Sequence, residues 1–474
     1  MTSTTPPTTT DPNPASTLTA AALADLRAAL PGAVVVPDDE RWAALATPWN
    51  LAVASRPAAV VDARSADDVV AAVRAAHRHG LRVAVRSTGH GAVEGLDGAL
   101  LVHTGRLDEC VVHPDGWARA GAGVRWQQVL EAAAPHGLVG AAGSSPHVGV
   151  VGYTTGGGLG PLARSVGLAS DLVRAFEVVT GDGVLRRATR FEHPDLFWAL
   201  RGGKGAAGIV TAVEMDLVPL GRFLGGALWF DGADAAAVLH TWRTWSADLP
   251  EAATTSVALV QLPPMPGVPE PLAGRLTVSV RFVWTGDPAD GEQRLAPMRG
   301  AAAPLIDGVR LLTGPELGSV HADPVDPLPA AETSDLLREL PAEAVDALLA
   351  VAGPGSRSPQ AIVEIRQLGG AVGRRPEEGD AVDHRDAAYT LNVIGMLVPP
   401  VADLVGPHGE AVRSALAPWT TGGLLPNFAA APGEQRLARA YDDGTRARLS
   451  AVADRYDPDA VLRDGLAPVR TRRL

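Results

Sequence analysis

Apolar and polar positions follow two different periods along this chain, and the change from one to the other divides it. From Ala58 the run AAVVDA, then Ser65 as an N-cap before ADDVVAAVRAAHRHG, then LRVAVR predict strand, helix and strand, with Gly80 ending the helix. Such a unit is usually a parallel crossover. It delivers the chain into Arg86-Ser87-Thr88-Gly89-His90-Gly91, a loop at the carboxyl end of a strand, where α/β folds commonly hold ligands. The short β-like runs ALLVHT, ECVVH and WARAGAGV follow, then a helical QQVLEAAAPHG, then a glycine-dense stretch from Gly140 to Gly160. Leu172 to Thr189 predicts a hairpin around Gly181-Asp182-Gly183. HPDLFWALRGG predicts a short helix begun by Pro194, and GIVTAVEMDLVPL a long strand ending near Pro219.

From about Gly221 the texture changes. Alternation such as LTVSVRFVW predicts half-buried antiparallel strands, and AIVEIRQLGGAV and YTLNVIGMLV belong to the same β-rich region. PPMPGVPEP and DPVDPLPAAE punctuate it as loops, and the stretch from Gly433 predicts a helix leading into RYDPDAVLR.

Composition narrows the partners. A formal charge of -12 and a pI near 5.5 argue against nucleic acid, whose binders usually carry a basic stripe to displace counterions. No stretch approaches the ~20 apolar residues that span a bilayer. The opening MTSTTPPTTTDPNPAST has neither a basic start nor an apolar run and reads as a polar tail, so a cytoplasmic protein is expected. Cys110 is the only cysteine, which leaves no internal disulfide and no multi-thiolate metal site. No metal is expected.

The chemistry lies in the two glycine-rich stretches. Glycine lets a main chain approach a ligand closely, so both read as loops whose amides wrap a dinucleotide. Gly203-Lys204-Gly205-Ala206-Ala207-Gly208 matches the nicotinamide fingerprint, but that motif needs a strand before it and a helix after, and here the order is reversed. A near-match at Gly158 to Ala163 contains Pro161, and a nicotinamide-dependent dehydrogenase stands on it as a minor alternative.

Taken together, the ordered motifs RSTGHG (86–91), GSSPHVGVVGYTTGGGLG (143–160), RSVGLASDLVRAFEVVTGDG (164–183), HPDLFWALRGGKGAAGIVT (193–211), HRDAAYTLNV (384–393) and RYDPDAVLR (455–463) resemble the berberine-bridge-enzyme-like FAD-linked oxidases of the vanillyl-alcohol-oxidase superfamily. The resemblance implies an α+β chain. A tail covers 1–31, and a two-part PCMH-type FAD-binding domain covers 32–220, divided near 110. A substrate domain at 221–430 has an antiparallel sheet covered by helices, and 431–474 returns to the FAD domain.

The same resemblance implies an oxidase that passes a hydride from a small or medium organic substrate to flavin N5 and electrons to O2, in secondary metabolism or catabolism. A cyclase or binding scaffold on the same fold is the second reading. The implied FAD contacts are Arg86, Ser87, Thr88, Gly89, His90, Gly91, Ser144, Ser145, Val148, Gly149, Gly152, Tyr153, Thr155, Gly156, Gly157, Gly158, Leu159, Gly160, Gly208, Ile209, Val210 and Asn427. His90 stands where relatives bond imidazole to the flavin 8α-methyl carbon. Ser145 stands where many carry a second, cysteinyl bond, which is therefore excluded. Tyr153 replaces a histidine beside flavin N1, with packing under the glycine loop as the competing reading.

For the proton acceptor the usual residues are missing. Asn392 stands where relatives carry Glu, and Leu425-Pro426-Asn427-Phe428 replaces a Y-x-N-Y run. Tyr389, Asn392 and Glu364 remain as candidates. Alternation puts Tyr389 opposite Asn392 and puts Glu364 on one face with Arg366, where a solvated ion pair is the ordinary meaning. Lys204, the only lysine, reads as a solvated loop residue.

Overall fold

The computed structural model describes residues 18–94, 96–205, 207–428 and 434–462. The first unit is a four-stranded sheet in the order Val34–Val35, Ala59–Asp62, Leu100–His103, Val83–Arg86, with the last three parallel. Leu100–His103 thus inserts between the two strands of the crossover. Its helix, Ala66–His79, begins where the Ser65 hydroxyl accepts from Asp68 N at 3.2 Å and ends at Gly80 with φ 65°. Val69, Ala72, Val73 and Ala76 recur on one face of that helix and are wholly buried. The expected tail ends earlier than residue 31. Ala20–Ala29 is helical, Leu26 is wholly buried, and Asp25 pairs with Arg78 at 2.7 Å, so this segment joins the core, while 1–17 lie outside the described residues.

The second unit is antiparallel, in the order Cys110–His113, Trp117–Gly121, Ile209–Asp216, Val173–Val179, Leu185–Ala188. Its helix Pro194–Leu200 precedes the 203–208 glycines and a strand follows them, so the nicotinamide fingerprint lacks its structural context. The glycine-dense stretch is not all loop. Val150–Thr154 forms a short helix whose first amide donates to Val124 O at 2.9 Å, because this part of the run carries side chains that can bury.

The later region forms one antiparallel sheet in the order Ile306–Asp307, Phe223–Asp231, Leu276–Trp284, Ala253–Gln261, Ile362–Gln367, Tyr389–Met396, Ala330–Leu337, with Arg310–Leu312 also pairing with Phe223–Asp231. Helices Ala235–Ala247, Pro288–Arg299, Ala342–Ala352 and Ala402–Leu416 lie on this apolar side. The opposite face is polar and turned toward the first two units. Arg164 ties the two regions by donating to Ala253 O at 2.8 Å and Leu249 O at 3.0 Å, and Arg385 pairs with Asp171 at 2.6 Å. The final helix, Asp443–Tyr456, packs on Pro194–Leu200, where Tyr456 donates to Asp195 at 2.9 Å, and Val461 O accepts from Val83 N at 2.8 Å. Among the described residues no helix is long and apolar enough to cross a membrane.

Candidate functional site

The two glycine-rich stretches meet. Gly149 faces the Ser87 hydroxyl so closely that a Cβ there would lie 3.3 Å from it and 3.8 Å from Thr88 Cγ2. Thr88 and Gly89 are fixed by the preceding segment, since Trp49 N donates to Thr88 O at 3.1 Å and a Cβ on Gly89 would sit 2.8 Å from Pro48. With φ at +81°, Gly89 is also in the left-handed region that side chains avoid. Gly91, next to His90, has open space around it.

His90 stacks on Trp49 at 4.5 Å and 15°, and its Nδ1 shares a 2.9 Å hydrogen bond with the Thr88 hydroxyl. Its Nε2 is buried and has no partner. The Ser87 and Ser145 hydroxyls share that condition. Burial, followed by repulsion from Arg125 and His147, lowers the imidazole to about 4, so it is neutral at ordinary pH. Arg86 is different from expectation. Its guanidinium turns back to donate to Leu45 O at 2.7 Å and Ser55 Oγ at 3.2 Å, so it anchors the covering segment and not an anion in the loop.

Ser144 and Val148 continue the second stretch; Val148 N donates to Ser145 O at 3.2 Å and its carbonyl accepts from Trp126 N at 3.1 Å. Tyr153 packs under the glycines: a Cβ on Gly143 or Gly158 would lie 2.9 or 2.6 Å from its ring, and Trp126 meets it edge-on at 5.7 Å. Its hydroxyl is buried without a partner, and burial raises its pKa. Packing therefore accounts for the ring and leaves the hydroxyl open. Several amides here close turns within the protein, Gly156 N to Tyr153 O at 3.3 Å and Gly157 N to Thr154 O at 3.1 Å, and Thr155 O accepts from Gly202 N at 2.9 Å. A Cβ on Gly160 would reach 2.0 Å from Ala142 O, and one on Gly208 2.3 Å from Val178 Cγ2. Ile209 and Val210 begin a sheet strand, with Ile209 buried in one cluster with Val61, Val83 and Val461.

Lys204 is not a solvated loop residue. Its ammonium donates to Gly152 O at 3.0 Å and to the Asn427 side-chain oxygen, while Asn427 Nδ2 donates to Tyr153 O at 2.8 Å. This bridge closes the second glycine stretch against the segment that follows the sheet.

Across the cleft stands the polar sheet face. A small cavity between the two walls is lined by Leu159 and Gly160 on one side and Ser256, Arg281, His321 and Arg366 on the other. Glu364 sits at the centre, opposite Asn392 in register, and Asn392 is in turn opposite Ser334. The expected solvated pair is instead a buried network. Glu364 accepts from Ser256 at 2.7 Å, Arg281 at 2.5 Å and Arg366 at 2.6 Å. Burial alone would raise its carboxyl, but the guanidiniums of Arg366 and Arg281 outweigh this and hold it well below the usual range. His321 is buried beside it, with Nε2 3.5 Å from a Glu364 carboxylate oxygen, and its pKa is lowered by burial and then by Arg281.

Asn392 lies on this face with both amide atoms buried and unpartnered. Tyr389 does not join it. The strand pairs continuously with Ala330–Leu337 from Tyr389 to Met396 and with Ile362–Gln367 from Tyr389 to Ile394, so no bulge intervenes and Tyr389 lies on the helix-covered face, against Trp242 at 6.0 Å. It is removed from the candidate site by strand period alone.

One residue on the polar face escaped the sequence reading. Glu332 is two positions from Ser334 and therefore on its face; it is accessible, yet burial and then Asp323 raise its pKa. Asp323 also acts electrostatically on His90 and Arg366, and Arg366 on Tyr153 and Glu332. The signal was present in A-E-T-S-D, where Glu and Ser alternate, and in T-V-S-V-R, where Thr277, Ser279 and Arg281 alternate.

Residues 57–189 match the family described as FAD binding domain. Among curated proteins, (R)-6-hydroxynicotine oxidase of Paenarthrobacter nicotinovorans is 31% identical over 297 residues, 62% of this chain and 63% of that protein, so the match spans less than two thirds of the relative's length. Among solved structures, 6-hydroxy-D-nicotine oxidase from Arthrobacter nicotinovorans superposes with a TM-score of 0.81 at 26% identity, covering 92% of this chain and 97% of that one. Chitooligosaccharide oxidase shares the fold, with a TM-score of 0.80 at 21% identity over 95% of this chain and 100% of that one.

Proposed function

From the premise that this chain carries an FAD binding domain within the fold of the PCMH-type, berberine-bridge-enzyme-like oxidases, we propose that it is an FAD-dependent oxidase of a small organic substrate, with O2 as electron acceptor. The observation that carries the reading is the set of buried, unpartnered polar atoms on the two touching loops: Ser87 Oγ, His90 Nε2 and Ser145 Oγ. Buried polar groups are normally paired, so three orphans lining one glycine cradle fit a polar group that the protein itself does not supply. Bound FAD would supply a hydride acceptor that O2 can re-oxidise.

The residues divide the remaining work. The glycine stretches 87–91 and 143–160 hold the cofactor, and His90, neutral and open at Nε2, is the site of covalent attachment. Asn392, unpaired on the sheet face, orients the substrate by hydrogen bonding. Glu332 takes the substrate proton on its carboxylate. Both carboxyl oxygens of Glu364 are engaged and its proton affinity is depressed, which suits it to scaffolding and not to base catalysis.

Absorbance of the purified protein followed by acid precipitation tests this. Yellow colour retained in the pellet of wild type and released in His90→Ala is the expected result. Colour leaving wild type with the supernatant removes the covalent bond from the reading, and a colourless protein that FAD cannot reconstitute removes the reading itself.

A further inference from the structure

The network on the sheet face leaves one cationic edge unused. Arg366 spends Nε on Glu364 at 2.6 Å, and among the described residues its two terminal nitrogens have no acceptor. Its side chain keeps 15% of its surface, against 2% for Glu364 and 4% for Arg281, so the network is sealed except at this point. Phe428 lies 5.7 Å from the guanidinium carbon and braces it. Two buried arginines, Arg281 and Arg366, share the single buried carboxylate of Glu364 within this network. His321 stands 3.5 Å from Glu364, and burial and then Arg281 lower its pKa. Asp323 and Glu332 are the acidic groups that also act on Arg366.

We infer that the terminal nitrogens of Arg366 form a carboxylate-binding subsite, so that the substrate of this cleft is an organic acid seated by its carboxylate on that guanidinium. The inference rests on the oxidase reading only for the reaction that follows; the binding claim stands on the sheet face. A planar guanidinium already oriented through Nε offers two parallel donors that match a carboxylate, whereas an ammonium is a point charge. A neutral ligand filling the cleft would strip water from this cation and return nothing for it.

The test uses full-length protein as purified and two flat probes of equal shape, benzoate and benzamide, titrated by calorimetry and by perturbation of any flavin spectrum. Wild type is expected to prefer benzoate by at least about tenfold, the worth of one charge-assisted contact. Arg366→Met should abolish the preference, and Arg366→Lys should reduce it. If Arg366→Met fails to fold, Arg366→Lys decides alone, since it can keep an ion pair with Glu364 while losing the fork. Equal binding of both probes to wild type, no benzoate binding at millimolar concentration, or an unchanged preference in the folded variants overturns the inference. A colourless protein that still prefers benzoate would instead sink the oxidase reading and leave the subsite standing.

Discussion

The two walls of the cleft are built from opposite materials. One is backbone: glycines at 143, 158 and 160 let the chain fold against the Tyr153 ring and Ala142 at distances no side chain permits. The other is charge: Arg281, Glu364 and Arg366 interlock beneath a sheet face that is buried against the first domain. At these glycines the backbone wall tolerates no added atoms but would survive loss of a charge. The charged wall is the reverse, because removing one member strands the others in a medium that solvates them poorly.

Substitutions at the two centres test that contrast most sharply. Glu364→Ala leaves Arg281 and Arg366 unpaired and is expected to cost about 3–5 kcal/mol, the range for breaking a buried ion pair by removing one partner. Urea unfolding measures it, and a loss below ~1 kcal/mol would mean that water reaches the network. Gly158→Ala comes next. Its φ of +83° and a Cβ 2.6 Å from the Tyr153 ring and 2.8 Å from Ala169 combine backbone strain with overpacking, for about 2–4 kcal/mol. Gly91→Ala, where nothing lies within 4 Å, is the internal control and should be nearly silent in stability.

The two walls were also unequally legible. Glycine advertises itself, since a residue chosen for having no side chain has few other uses, and the order of six motifs pointed to the FAD-binding family. Arg86 reads as an anion ligand by position, but its length lets its guanidinium reach back to Leu45. The polar wall was hidden because alternation gives two faces without saying which is wet. Glu364 and Arg366 looked like an exposed pair, and only the packing of the first domain over the sheet makes them buried. Strand period did separate Tyr389 from Asn392 in advance.

The bridge between the walls should yield a smaller effect. Lys204→Met removes the bonds to Gly152 O and Asn427, and about 1–2 kcal/mol is expected, from one charge-assisted hydrogen bond in a half-buried place. Asn427→Ala should cost a similar amount, and a double-mutant cycle by thermal unfolding should show the two losses overlapping, since they share one bond. Full additivity would mean that Lys204 acts through some other contact.

The mildest stability effect belongs to Glu332, where structure and reaction pull in opposite directions. Burial and Asp323 raise its pKa above the ordinary 4.5, so the folded protein holds the proton more tightly than the unfolded chain does. The stability this contributes is complete below pH 4.5 and is lost as pH rises through the raised value. Glu332→Gln, which mimics the protonated form, should flatten that slope and leave the fold as stable at neutral pH or slightly more so. As a proton acceptor the same group works only when ionised, so substrate turnover should rise with pH across the window in which stability falls. In Glu332→Gln that rise should disappear and turnover should drop by about 10²–10⁴-fold. Parallel pH profiles of unfolding and of turnover check both halves, and a rate limb that survives unchanged in the Gln variant would assign the proton to another group.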